Sequence, residues 1–139
     1  MTRRLVPLAI AFAALALVGC GGRYPVTGKV TYEDGSPVPE GTVIGEATVD
    51  GKVVGVQGNI RSDGSYAWGG DVAGDGALPG EYKVIVQPRA LGDAEMGEGK
   101  VPDVAGKFTR YESSGLKCTV EPKANTYNIT VSRPQPKGK

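Results

Sequence analysis

From Val26 onward, glycine, aspartate and proline break the chain so often that no stretch is left for an amphipathic helix. The breaks carry turn chemistry. Asp34-Gly35-Ser36-Pro37, Asp50-Gly51, Ser62-Asp63-Gly64-Ser65 and Leu78-Pro79-Gly80 each include a glycine that accepts positive φ, beside a residue that bonds its own backbone or pre-sets a turn. Between them lie short β-branched or alternating runs at 26–32, 42–49, 53–60, 66–68, 81–87, 116–120 and 126–131. Positions 26, 28, 30 and 32 share one strand face, as do 82, 84 and 86, and 116, 118 and 120. Seven short strands spaced at about 8–12 residues predict an all-β fold, a seven-stranded antiparallel β-sandwich. Its expected core is Val26, Val30, Val43, Val54, Ile60, Tyr66, Tyr82, Val84, Val86, Leu116, Cys118, Val120, Ile129 and Val131. The last two strands are expected to close as a hairpin around Pro122-Lys123-Ala124-Asn125. Residues 88–115 hold few strand signals and read as an unusually long loop.

The N-terminus has a different character. Residues 5–18 carry no charge, Arg3-Arg4 precede them and Gly19-Cys20-Gly21-Gly22 follow. This order of basic, apolar and small residues is a signal-peptide pattern. The apolar run falls short of the roughly 20 residues that span a bilayer. A buried Ala/Leu helix is the alternative, but nothing else in the chain is helical enough to pack against it. Leu17-Val18-Gly19-Cys20 resembles the lipobox of bacterial lipoproteins. The order suits the chemistry: small residues admit the signal peptidase, and cysteine supplies a thiolate nucleophile near neutral pH. The resemblance implies cleavage between Gly19 and Cys20. It also implies a thioether-linked lipid on Cys20, acyl chains such as palmitate, and export to a cell-envelope membrane. An ordinary signal peptide with a coincidental cysteine is the competing reading. The expected division is 1–19 signal peptide, 20–25 lipidated tether, 26–132 sandwich and 133–139 extended tail.

Histidine is absent. This excludes Ser-His-Asp and Cys-His catalysis and removes the commonest metal ligand. The formal net charge is +1, and loss of Arg3 and Arg4 with the signal leaves fourteen basic against fifteen acidic side chains. That balance points to no nucleic-acid partner. With Cys20 committed to lipid, Cys118 has no disulfide partner and is expected as a core thiol.

Other residues invite chemistry and are better explained by structure. Asp50, Asp63, Asp71 and Asp75 are oxygen donors of the kind calcium takes, but their Asp-Gly context is that of turns and no EF-hand spacing is present. Glu95, Glu98 and Asp103 lie in the long loop without a neighbouring aromatic platform for a sugar. Trp68 and Tyr66, with Tyr24, are the candidate ligand contacts, through ring stacking on a glycan; packing in the core or at its rim is the plainer role. Asn128-Ile129-Thr130 matches a glycosylation sequon but falls in a strand. Gly58, Gly69, Gly70 and Gly74 are not followed by Lys-Ser/Thr or by a helix, so they make no phosphate loop. No catalytic residue, metal site or cofactor is expected.

Val26-Thr27-Gly28-Lys29-Val30, Asp34-Gly35-Ser36-Pro37-Val38, Ser62-Asp63-Gly64-Ser65-Tyr66 and Leu78-Pro79-Gly80-Glu81-Tyr82-Lys83-Val84 together resemble carboxypeptidase regulatory-like domains, which are transthyretin-like sandwiches. Tyr111-Glu112-Ser113-Ser114-Gly115-Leu116 and Asn125-Thr126-Tyr127 are similar to the small lipoprotein subgroup of planctomycete bacteria. The resemblance covers about residues 26–132 and implies an accessory module without catalytic residues. The expected function is therefore a membrane-anchored envelope lipoprotein with a non-catalytic binding or structural module. Its contact surfaces would be the 88–115 and 69–80 loops. An accessory subunit of an envelope enzyme or transporter, or a carbohydrate-binding module, are the alternatives. The partners are accordingly the membrane and an envelope protein or glycan.

Overall fold

A computed structural model describes residues 22–135. The expected signal segment, Cys20, Gly21 and the last four residues lie outside that range. Eight strands form: β1 Val26–Tyr32, β2 Thr42–Val49, β3 Lys52–Asn59, β4 Ser65–Ala67, β5 Gly80–Gln87, β6 Leu116–Val120, β7 Asn125–Thr126 and β8 Ile129–Val131. One sheet has the order β3-β2-β5-β6 and is antiparallel throughout. The other is built around β1, which pairs antiparallel with β4 and parallel with β7 and β8. The all-β sandwich expected from turn spacing is present, with eight strands where seven were expected.

The turns behave as their residues dictate. Asp50 and Gly51 both have positive φ (50° and 77°), the geometry of a two-residue hairpin turn, and join β2 to β3 with Val49 opposite Lys52. Asp34 and Asp63 each accept the backbone N–H of the serine two residues on, at 2.9 Å, and so close their turns from within.

Three expectations need correction. Residues 116–120 and 126–131 do not form a hairpin. β6 ends the all-antiparallel sheet, and after the turn at 121–124 the chain crosses to the other sheet, where β7 and β8 run parallel to β1. The expected last strand is also split. At Asn128 the side-chain oxygen, not a backbone carbonyl, accepts the Lys29 N–H at 3.0 Å. Gly28 permits this crossing, because a Cβ there would fall 1.9 Å from the Tyr127 carbonyl oxygen. The long 88–115 segment is also not a bare loop. It holds two single-turn helices, α1 Asp93–Gly97 and α2 Tyr111–Ser114, and a 3₁₀ turn at Gly106–Thr109.

Twelve of the fourteen expected core residues are buried; Val54 and Leu116 are partly buried and pack against the cluster. The core also takes in Tyr32, Val38, Ala47, Val56, Trp68, Ala77, Val104 and Phe108. Its described members run from Val26 to Val131.

Strand directions give the sandwich two distinct ends. At one end lie the start of β1, the Asp50-Gly51 turn, the 68–79 loop leading into β5, and the 121–124 turn. At the other lie the 33–41 link, the 60–64 turn, the 88–115 excursion and Ser132–Gln135.

Candidate functional site

At the first end the chain entering β1 is tied down. Tyr24 and Ala77 exchange two backbone hydrogen bonds of 2.9 Å. The Arg23 guanidinium donates to the Gly76 carbonyl from Nε (3.2 Å) and Nη2 (2.9 Å) and stands 3.3 Å from the Asp75 carboxylate. Asp75 also accepts the Gly70 N–H at 2.7 Å. The loop therefore wraps Arg23, and glycine makes the wrapping possible: Gly76 has φ 89°, and a Cβ on it would fall 2.3 Å from the Tyr24 carbonyl oxygen. The expected 20–25 tether is thus shorter than its sequence boundaries, because Arg23 and Tyr24 belong to the domain.

The opposite end carries a groove of about 920 Å³. Pro88, Val101, Pro102, Val104 and Pro134 supply apolar wall, and Gln87, Thr109 and Gln135 supply polar atoms. Three attachments hold the excursion that builds it. Val104, just before the 3₁₀ turn, and Phe108, within it, are buried in the core. Ala105 donates its N–H to Ser132 O at 2.8 Å. Buried Ser114 donates its hydroxyl to the Val84 carbonyl at 2.6 Å, tying the end of α2 to β5. An ionic cluster adds to these. Arg89 donates to both carboxylate oxygens of Glu95 (2.9 and 2.8 Å) and lies 2.7 Å from Glu40 in the 33–41 link. Glu95 also accepts the Gly92 N–H that opens α1. The Arg89 hydrogen bonds hold the Glu95 carboxyl far below the usual carboxylate range, at about 2. Arg133 stacks its guanidinium 3.7 Å over the Tyr32 ring and pairs with Asp34, so the expected extended tail starts after a docked residue.

Two of the three candidate ligand-contact rings lie in the core, and Tyr24 is partly buried against Ala77. Trp68 is 0 % exposed and Tyr66 1 %. Trp68 sits with its ring centroid 5.4 Å from that of Tyr82, and Gly45 leaves room for it: a Cβ there would come 2.8 Å from Trp68 Cη2. The Tyr66 hydroxyl donates to the Tyr127 carbonyl. Both rings are core packing, and the reading of Trp68 and Tyr66 as glycan contacts is corrected on that ground. Cys118 lies buried on the inner face of β6, and burial pushes its thiol up to about 11, away from the reactive thiolate.

The carboxylates weighed for calcium are occupied by local bonds at Asp63 (Ser65) and Asp75 (Gly70, Arg23). Among the described residues no three Cys, Asp or Glu side chains gather into a metal-binding group. Glu95, held low by Arg89, is the opposite of a general acid, which needs a raised carboxyl. A second, polar cleft of about 450 Å³ lies between Gln57–Arg61 and Gly69–Gly74. Its glycines are explained by packing: a Cβ on Gly58 would fall 2.2 Å from the Ala67 carbonyl oxygen, and one on Gly69 2.3 Å from that of Val72.

Sequence reasoning missed Arg23 and the groove. An arginine beside a Gly-Gly spacer gives no local sign of its partner 53 residues away. For the groove, the apolar pair Val104 and Phe108 was the available signal. Among the described residues no helix is long and apolar enough to cross a membrane. No protein-family model, no curated protein and no solved structure matches the chain.

Proposed function

We propose that this chain is an exported envelope lipoprotein: cleaved between Gly19 and Cys20, held in a membrane by lipid on Cys20, and carrying a non-catalytic β-sandwich of the carboxypeptidase regulatory-like kind. One observation carries the reading most directly. The described hydrophobic core begins at Val26, and the chain reaches it over the surface through Arg23 and Tyr24. A lipobox ending at Cys20 therefore stands three residues before Arg23, where the chain is already tied to the domain surface. Two acyl chains on one cysteine give stable membrane attachment, which a single chain does not. The working surface is the end that bears the 88–115 excursion, since loops on a rigid scaffold carry recognition. Its groove is walled mainly by proline and valine and leaves Val101 exposed, an apolar surface of the kind that marks protein–protein contact. This favours an accessory role to an envelope protein over glycan binding, which would need an exposed aromatic platform.

Replacing the acceptor tests the reading. Cys20→Ser should leave an unprocessed precursor or release the protein from membranes, as read by fractionation. Retention of a processed form on membranes rejects lipid anchoring.

A further inference from the structure

We infer that the loop 69–76 is the lipid-facing surface of the domain, with Val72 laid against the headgroups of the membrane that holds Cys20. The inference rests on the lipid anchor proposed above. Its own basis is the clamp on Arg23. Three residue steps separate Cys20 from Arg23, a reach of at most about 11 Å. Arg23 is fixed by two hydrogen bonds to Gly76 and the Asp75 ion pair, and Tyr24 by its pairing with Ala77. The usual freedom of a long glycine linker is therefore missing, and the surface around Arg23 must stay within that reach of the lipid. The loop 69–76 is that surface. A Cβ on Gly70 would fall 2.4 Å from Arg23 Nη2.

Of the four large apolar residues that stand exposed among the described residues, Met96 and Val101 lie at the groove end and the other two lie at this end. Val72 lies in the loop at 64 % exposure, and Val53 stands beside the Asp50-Gly51 turn at the same end at 69 %. Residues 69–77 contain no lysine or arginine, and the guanidinium they enclose is already paired with Asp75. Attraction to anionic lipid is therefore not what holds the surface down; the tether and apolar contact are. Asp71 is exposed in the same loop, so the contact should weaken rather than strengthen as anionic lipid is added. The 88–115 groove, at the far end of the strands, then points away from the membrane.

The test uses the lipoprotein extracted from envelopes and reconstituted into phosphatidylcholine vesicles containing a headgroup spin-labelled lipid. A fluorophore is placed on Val72→Cys or on Met96→Cys, which lies at the groove end; Cys118 is buried and stays unlabelled. Loss of emission at position 72, with none at 96, is expected. Arg23→Ala, which lies outside the core, should narrow the difference between the two positions. With lipid confirmed on Cys20 by mass, quenching at 96 equal to or greater than at 72 overturns the orientation alone. An unlipidated Cys20 in the extracted protein overturns the anchor and the inference together.

Discussion

The loop at 69–76 is held by backbone bonds, close glycine approaches and one clamped arginine; the excursion at 88–115 is held by a few side chains set into an otherwise complete sandwich. In the first, Trp68 enters the core just before the loop, and Gly69, Gly70 and Gly76 each lie where a Cβ would collide with a neighbour. In the second, Gly97, Gly99, Gly106 and Gly115 have nothing within 4 Å of where a Cβ would stand. The first loop is part of how the sheets close, and its sequence is constrained by sterics. The second is an addition whose glycines meet no such neighbours, held chiefly through Val104, Phe108 and Ser114. A surface that can vary without loss of the fold is the one suited to recognising a partner.

The largest test of that contrast is a pair of truncations. Trp68→Ala should cost about 3–5 kcal/mol, a large share of the roughly 5–15 kcal/mol that holds a domain of this size. The indole N–H of Trp68 makes no hydrogen bond with the described residues, so the loss is one of packing. Phe108→Ala, at the margin of the core, should cost nearer 3 kcal/mol and chiefly loosen the excursion. Denaturant unfolding read together with hydrogen exchange separates the two; a global loss at Phe108 larger than at Trp68 would break the contrast.

A smaller test compares two glycines with similar backbone angles. Gly76 (φ 89°) and Gly99 (φ 79°) both sit where L side chains are strained. Gly99→Ala should cost about 1–2 kcal/mol from conformation alone. Gly76→Ala adds the collision with the Tyr24 carbonyl and should cost about 1–3 kcal/mol more. Equal costs, measured by thermal or chemical unfolding, would remove the steric distinction between the two ends.

The smallest effect is one of pH. Glu95 is lowered to about 2 from an ordinary 4.5, through its hydrogen bonds from Arg89. A depressed carboxyl stabilises the fold above its unfolded value, and that contribution fades as pH falls from about 4.5 through 2. Because the pair is exposed, acid should loosen α1 and the Glu40 link while the core stays folded. Amide protection near 93–100, corrected for the intrinsic exchange rate, should fall as pH drops from about 4.5 towards 2, well before protection in β2 and β5. Glu95→Gln should abolish that difference; an unchanged pH profile in the variant would remove Arg89–Glu95 from the account.

Much of the sandwich was legible because its signals are local. Asp-Gly and Pro-Gly turns mark strand ends, and a period of two marks the inward face of β1, β5 and β6. What stayed hidden depends on partners far apart in sequence. β7 and β8 have two and three residues, too few for a period to show, and their parallel pairing with β1 joins residues 99 apart. Arg23 finds Gly76 and Asp75 only once both sheets exist. Trp68 is open to a stacking role in sequence, with packing the plainer one; in space Gly45 and Tyr82 enclose it. For the candidate site, the Leu17-Val18-Gly19-Cys20 motif was readable directly, whereas the groove is the product of tertiary packing around Val104.

The central claim is that the mature chain begins at a lipid-bearing Cys20 and meets the domain at Arg23. Mass spectrometry of the N-terminal peptide from envelope-extracted protein tests it most directly. The expected peptide starts at Cys20 and carries diacylglyceryl mass on that residue. An unmodified peptide beginning at Met1 would contradict it.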